Sequence, residues 1–221
     1  MTFSILAHDP ETGVIGGAAA TGSLCVGGWV LRGSLSAGMT ASQGASPSTF
    51  WGEDVLAAMR AGADPSSAIA DATRADSGRE HRQIAALGLD GRAAAFTGRK
   101  NTPGMGSTAF AAGIAAGNML ASTDVLDAMV DAFQSATGTL DARFLAALRG
   151  AAAAGSDSRG LLSAALLVLH PDHAPLDLRV DHHPQDPIGA LSALHGRATT
   201  GDYAEWARKV PVLNDRSRTL D

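Results

Sequence analysis

Thr2-Phe3-Ser4-Ile5-Leu6-Ala7-His8, then Asp9-Pro10-Glu11-Thr12-Gly13, then Val14-Ile15-Gly16-Gly17-Ala18-Ala19-Ala20: the fold is decided in these opening residues. Phe3, Ile5 and Ala7 alternate with Thr2, Ser4, Leu6 and His8, which is the period of a half-buried strand. Asp9 to Gly13 carries turn chemistry, so Val14 to Ala20 returns as a paired strand and a hairpin opens the chain. Gly27, Gly28, Gly33 and Gly38 then punctuate a region in which Ser36 to Ser42 reads as a further short strand.

Working outward, the spacing predicts a helix from about Ser48 to Arg60 that closes at Gly62. A second begins at Asp64-Pro65, an N-cap followed by proline at the first helical position. Gln83 to Leu89, the Asp90-Gly91 turn and Arg92 to Thr97 read as a second hairpin, followed by a strand-like stretch from Thr108 to Ile114. Leu126, Met129, Val130 and Phe133 fall at helical spacing, as do Leu140, Phe144, Leu145 and Leu148, which predicts a second helix pair. Ala164 to Leu169 reads as a buried strand, and Leu176, Leu178 and Val180 alternate with Asp177, Arg179 and Asp181 in its partner. Ile188, Leu191 and Leu194 mark a short terminal helix, with another from about Asp202 to Arg208.

Strands, helix pair, strands, helix pair, strands is the order of an α+β, four-layer αββα sandwich: two packed, largely antiparallel sheets flanked by helices. One domain spanning 1–221 is expected, with a core over about 2–195 and a helical tail over 196–221.

Composition narrows the function classes. With 45% hydrophobic and 18% charged residues, the 221-residue chain suits a globular protein rather than a disordered one. Its net charge of -5 and 17 scattered Lys and Arg residues lack the footprint of a nucleic-acid binder. The apolar run Ala164 to Leu169 is far shorter than the roughly 20 residues of a membrane-spanning helix, and no signal peptide opens the chain. Cys25 is the single cysteine, so no intramolecular disulfide forms; a reducing, cytoplasmic setting is expected, with Cys25 as a small apolar filler. No glycine-rich stretch ends in Gly-Lys-Ser or Gly-Lys-Thr, so no nucleotide cofactor is indicated. His170, His173, His182 and His183 do not match zinc spacing, and no metal is expected.

In order along the chain lie Met1-Thr2-Phe3-Ser4-Ile5, Ala41-Ser42-Gln43-Gly44, Ala95-Phe96-Thr97-Gly98 and Gly117-Asn118-Met119-Leu120. They are followed by Ser163-Ala164-Ala165-Leu166-Leu167 and Asp177-Leu178-Arg179-Val180-Asp181-His182. In these pieces the sequence resembles the bacterial and archaeal family grouped as domain of unknown function 1028, over residues 1 to about 190. The resemblance implies the N-terminal nucleophile (Ntn) hydrolase sandwich shared with proteasome subunits; it implies no settled reaction. The chain departs from the family pattern at Gly22, where many relatives carry a basic residue, and in the loop from Asn101 to Ser107.

That implied fold directs attention to Thr2. A threonine hydroxyl needs a base, and an N-terminal threonine carries one in its own α-amino group, with a reference pKa of roughly 7.7 to 8.0. Methionine before a small residue is the usual substrate for methionine removal, so Met1-Thr2 can mature without a propeptide. By analogy with proteasome-like members, Arg32 is the expected nearby cation. Backbone amides at Gln43 and Gly44 are expected to form an oxyanion hole. Ser4, on the Thr2 face, Asn118, and Asp157 and Arg159 in a loop before a buried strand are the expected substrate contacts, with a turn or an ion pair as their structural alternatives. Two functions compete: an amidohydrolase cleaving a small amide or peptide-like molecule through Thr2, and a non-catalytic ligand-binding or scaffold protein on the same fold. A homodimer is the expected assembly.

Overall fold

The computed structural model describes residues 1–101, 104–155 and 160–220. β1 (Thr2–Asp9) and β2 (Val14–Thr21) form the opening hairpin, followed by the short α1 (Val26–Trp29), β3 (Leu31–Ser34) and β4 (Gly38–Gly44). Next come α2 (Thr49–Arg60), α3 (Pro65–Arg74), β5 (Arg82–Gly88), β6 (Ala93–Thr97), β7 (Gly106–Phe110) and β8 (Gly113–Asn118). α4 (Asp124–Ser135), α5 (Leu140–Gly155), β9 (Ser163–His170), β10 (His173–Val180), α6 (Pro187–Thr199) and α7 (Gly201–Ala207) complete the chain.

The strands make two antiparallel sheets, ordered β10-β9-β2-β1-β8-β7 and β3-β4-β5-β6. Three apolar layers separate four structural ones. Phe3, Ile5, Ala18 and Leu166 meet Met129, Phe133, Phe144 and Leu148 of α4 and α5. Leu6, Ile15 and Leu169 of the larger sheet meet Met39, Ala85 and Leu87 of the smaller. Ile84 and Ala86 meet Trp51, Val55 and Ile69 of α2 and α3. The result is the α+β layered sandwich, and the helix starts follow capping chemistry: Ser48 Oγ accepts from Trp51 N–H, and Asp64 accepts from Ser66 and Ser67 N–H.

Three local expectations change. β1 is sandwiched rather than half-buried, since Ser4 and Leu6 on its second face are as enclosed as Phe3 and Ile5. The stretch read as one strand from Thr108 to Ile114 is the β7–β8 hairpin. Its turn is poorly marked in sequence because the left-handed backbone, φ 55°, falls on Ala112 rather than on Gly113, which follows it and opens β8. The strand read at Ser36 to Ser42 runs over Gly38–Gly44, preceded by α1 and β3. α1 is too short for helical periodicity to register, and it starts from Cys25 at φ 59°. Among the described residues no helix is long and apolar enough to cross a membrane.

Candidate functional site

The register of the sheets places one polar row in each, at the same end of the inter-sheet layer. In the larger sheet Thr2 lies opposite Thr21 and Asn118, and Thr21 lies opposite Ser163. In the smaller sheet Gln83 lies opposite both Gln43 and Thr97. The next row is small: Ser4, Ala19, Ala116 and Ala165 in one sheet, Ala41, Ala85 and Ala95 in the other. Beyond it come Leu6, Ile114, Leu167, Met39 and Leu87. The layer is therefore apolar at one end and polar at the other, where buried polar atoms require partners.

The partners are largely found within the two rows. Gln83 Nε2 donates to Thr97 Oγ1 at 2.9 Å and to the Gly106 and Gly117 carbonyls at 3.0 and 2.9 Å. Carbonyls only accept, so this end of Gln83 is its amide nitrogen. Its Oε1 then accepts from Gln43 Nε2 at 2.7 Å and Asn118 Nδ2 at 3.3 Å. Gln43 Oε1 and Ser4 Oγ remain buried without a partner.

Over this floor opens a cavity of about 290 Å³. Thr2, Thr21, Gln43 and Gly44 form its polar end. Ser23, Leu24, Val26, Trp29 and Val30 make one wall, Ala45 and Pro47 the other. The second wall is tied down: Ala45 N–H donates to Asn101 Oδ1 at 2.9 Å, Arg82 to the Ser46 carbonyl at 2.6 Å, and Ser42 Oγ to the Ser48 carbonyl at 2.7 Å. The first is anchored by Ser163 Oγ, which donates to the Ser23 carbonyl at 2.8 Å and accepts from Val26 N–H at 3.1 Å.

Thr2 is half-buried, and its hydroxyl has a defined partner. Thr21 Oγ1 donates its single proton to the Met1 carbonyl at 2.7 Å, so at the 2.9 Å contact between the two hydroxyls Thr2 is the donor. Gly22 N–H also donates to the Met1 carbonyl, at 3.2 Å. The Met1 side chain is only 2% exposed and sits in the helix-side core with Leu120 and Val125, while its ammonium nitrogen is 3.8 Å from Met119 Sδ. Met1 is packed away on one face of β1 and Thr2 opens to the cavity on the other.

Gly44 is the better of the two expected oxyanion donors. Ser42 N–H donates to the Val30 carbonyl on the β3 side; by strand alternation Gln43 N–H turns into the β5 ladder and Gly44 N–H turns back towards Val30, beyond the end of β3. Gly44 has φ 134°, and a Cβ there would lie 2.7 Å from the His81 carbonyl oxygen, so glycine is required.

Several expected contacts lie elsewhere. Arg32 is on the opposite face of the smaller sheet: it packs against Gly52 of α2, donates to the Leu31 carbonyl and pairs with Glu53 at 3.7 Å. A residue between Leu31 and Gly33 must face away from the inter-sheet layer that holds Leu31, which removes Arg32 from the vicinity of Thr2. Ser4 is 1% exposed and sits a row below the cavity floor. Asn118 is in the opening row but spends its amide on Gln83. Asp157 and Arg159 lie outside the described residues. Thr21 and Gln83 were not singled out by sequence, although Thr21 was reachable: once Asp9 faces Val14 across the turn, the hairpin register sets Thr2 against Thr21.

A larger cavity, about 380 Å³, lies at the other end of β1 and β2 under α6 and α7, with Asp141, His170, His173 and His195 in its lining. His195 Nε2 and Asp141 Oδ2 are hydrogen-bonded and nearly enclosed, joining α6 to α5. Burial raises the Asp141 pKa, but the hydrogen bonds from His195 and Thr139 and the His195 charge outweigh it, leaving the carboxyl below its ordinary value. Among the described residues no group of three His, Cys, Asp or Glu side chains could hold a metal ion.

The chain matches the model of a family of unknown function, DUF1028, over residues 2–191. It is also similar to the crystal structure of a Silicibacter pomeroyi protein of the same family designation. The two are 63% identical with a TM-score of 0.96, covering 100% of this chain and 96% of the other. No curated protein matches it. With the match running over most of its length, this chain belongs to the family of unknown function DUF1028.

Proposed function

We propose that this protein is an Ntn-type amide hydrolase acting on a small amide or peptide-like molecule through Thr2 once Met1 has been removed. The observation that carries the reading is that Thr2 lines a cavity to which Gly44 also contributes. With Met1 gone, the Thr2 α-amine takes the proton of Oγ1 as the oxygen attacks the substrate carbonyl carbon. Gly44 N–H receives the developing oxyanion. The C–N bond then breaks as the ammonium returns its proton to the leaving amine, and water cleaves the resulting ester by the same route to free the acid. Thr21, released from the Met1 carbonyl, turns its hydroxyl proton towards Thr2 Oγ1 and positions it.

The reading also carries a cytoplasmic homodimer. Light scattering on untagged protein checks the assembly, and a monomer mass removes it. The competing reading, a non-catalytic binding protein, draws on the enclosure of Met1 and on the lack of Lys or Arg among the described residues lining the cavity.

The test is amine release from a panel of small amides by protein whose mass shows Thr2 as its first residue. Thr2→Ala is expected to lower the rate by about a thousandfold or more, with Thr2→Ser retaining part of it. Equal rates for wild type and Thr2→Ala remove the proposal.

A further inference from the structure

The lining of the Thr2 cavity also speaks to what enters it. None of the described side chains that line it is charged. Thr2, Thr21, Gln43 and Gly44 form one end of the lining, and apart from Ser23 the rest is apolar: Leu24, Val26, Trp29, Val30, Ala45 and Pro47. Leu24 and Trp29, both in the lining, are 54% and 53% exposed. Large apolar side chains are thus held open to water around a site whose reactive end is polar, which is the layout of a ligand pocket rather than of a core.

The cations beside the two walls do not alter this: Arg82, which holds the Ser46 carbonyl, is paired with Asp76 at 2.8 Å. Arg179 packs against Gly27 and Gly28 and is committed to Asp177 through two hydrogen bonds, 2.7 and 2.8 Å. Removal of Met1 places an α-amine on Thr2 at the polar end, but a carboxylate or ammonium carried to the Leu24, Trp29 and Val30 end would lose water and meet no opposite charge among the described lining residues, a cost that a neutral group avoids.

We infer that the subsite beside Thr2 takes a neutral, apolar acyl group, aromatic or short aliphatic, whose carbonyl reaches the polar floor while its body lies against Trp29, Leu24 and Val30. At about 290 Å³ the cavity lies at the small end of the range of ligand pockets, roughly 300–1,000 Å³, which fits one such group and not a folded chain. This inference deepens the hydrolase reading and rests on it for turnover, although binding tests it separately.

Calorimetric titration of full-length Thr2→Ala protein, its Met1 removed, with phenylacetamide and with succinamate separates the two claims. Phenylacetamide is expected to bind at least roughly tenfold more tightly than succinamate, and a second substitution, Trp29→Ala, to weaken it several-fold without changing the circular dichroism spectrum. In wild-type protein, phenylacetyl anilide is expected to be cleaved faster than succinyl or glycyl anilide. Binding of phenylacetamide without cleavage of any anilide upholds the subsite and overturns the hydrolase. Succinamate binding as tight as phenylacetamide, faster cleavage of a charged anilide, or no binding of either amide overturns the subsite. Unchanged phenylacetamide affinity in the Trp29→Ala variant also overturns it, and a mass halved by that substitution identifies a second copy of the chain as the occupant instead.

Discussion

At the scale of single residues, the polar end of the inter-sheet layer mixes groups under different demands, and substitutions separate them. Ser4 carries a buried hydroxyl with no partner, a cost without a return. Ser4→Ala is expected to leave stability unchanged or raise it by up to about 1 kcal/mol in a urea melt; a clear loss would mean the hydroxyl has a partner and a role. Gly44 is the opposite case. A methyl group at φ 134° facing the His81 carbonyl forces the backbone to shift, so Gly44→Ala is expected to cost about 2 kcal/mol or more and to lower turnover by moving the N–H. The place of Thr2 at the start of β1 is legible in sequence, and its pairing with Thr21 follows from the hairpin register. Gln83 is not legible in this way, because its value comes from lying opposite Gln43 and Thr97 in a register that only the assembled sheet defines.

At the scale of elements, legibility followed length and local chemistry. α2 to α5 and the strands β5, β6 and β9 have either caps or sustained periodicity, and they stand close to where the sequence puts them. α1 and β3 have four residues each, and the β7–β8 turn rests on an alanine in a glycine conformation, so no local rule marks them. Arg32 shows how an element of this kind misleads: without β3 in place there is no face to assign it to, and its true neighbours are Gly52 and Glu53. α6 is held differently, by the His195–Asp141 contact to α5. Because the folded Asp141 pKa is lowered, its contribution is fully present above the unfolded carboxylate pKa and fades as pH falls through the folded value. Asp141→Asn is thus expected to cost about 1–3 kcal/mol at pH 7, with the gap to wild type closing below about pH 4. Chemical melts at several pH values check this; a gap that persists unchanged at pH 3 contradicts it.

At the scale of the whole molecule, the two ends of the inter-sheet layer divide an apolar seam from a polar cavity. The apolar end, with Leu6, Met39 and Leu87, joins the sheets; the polar end opens beside Thr2. Leu87→Ala is expected to cost about 2–5 kcal/mol while leaving phenylacetamide affinity unchanged, as calorimetry below the melting temperature would read it. The order of layers was legible because it depends on the sequence of element types. The meeting of the two polar rows was not, because it depends on how two sheets align. Met1 ties the levels together: it is buried in the helix-side core, so its removal is expected to precede the pairing of β1. The central claim is that the cell makes a chain beginning at Thr2 and that this residue forms the acyl intermediate. Mass spectrometry of the N-terminal peptide from untagged, natively expressed protein, quenched in acid during turnover of a phenylacetyl anilide, reads both at once. A peptide beginning at Thr2 and carrying the phenylacetyl group is the predicted result; a peptide that retains Met1 and carries no acyl group contradicts it.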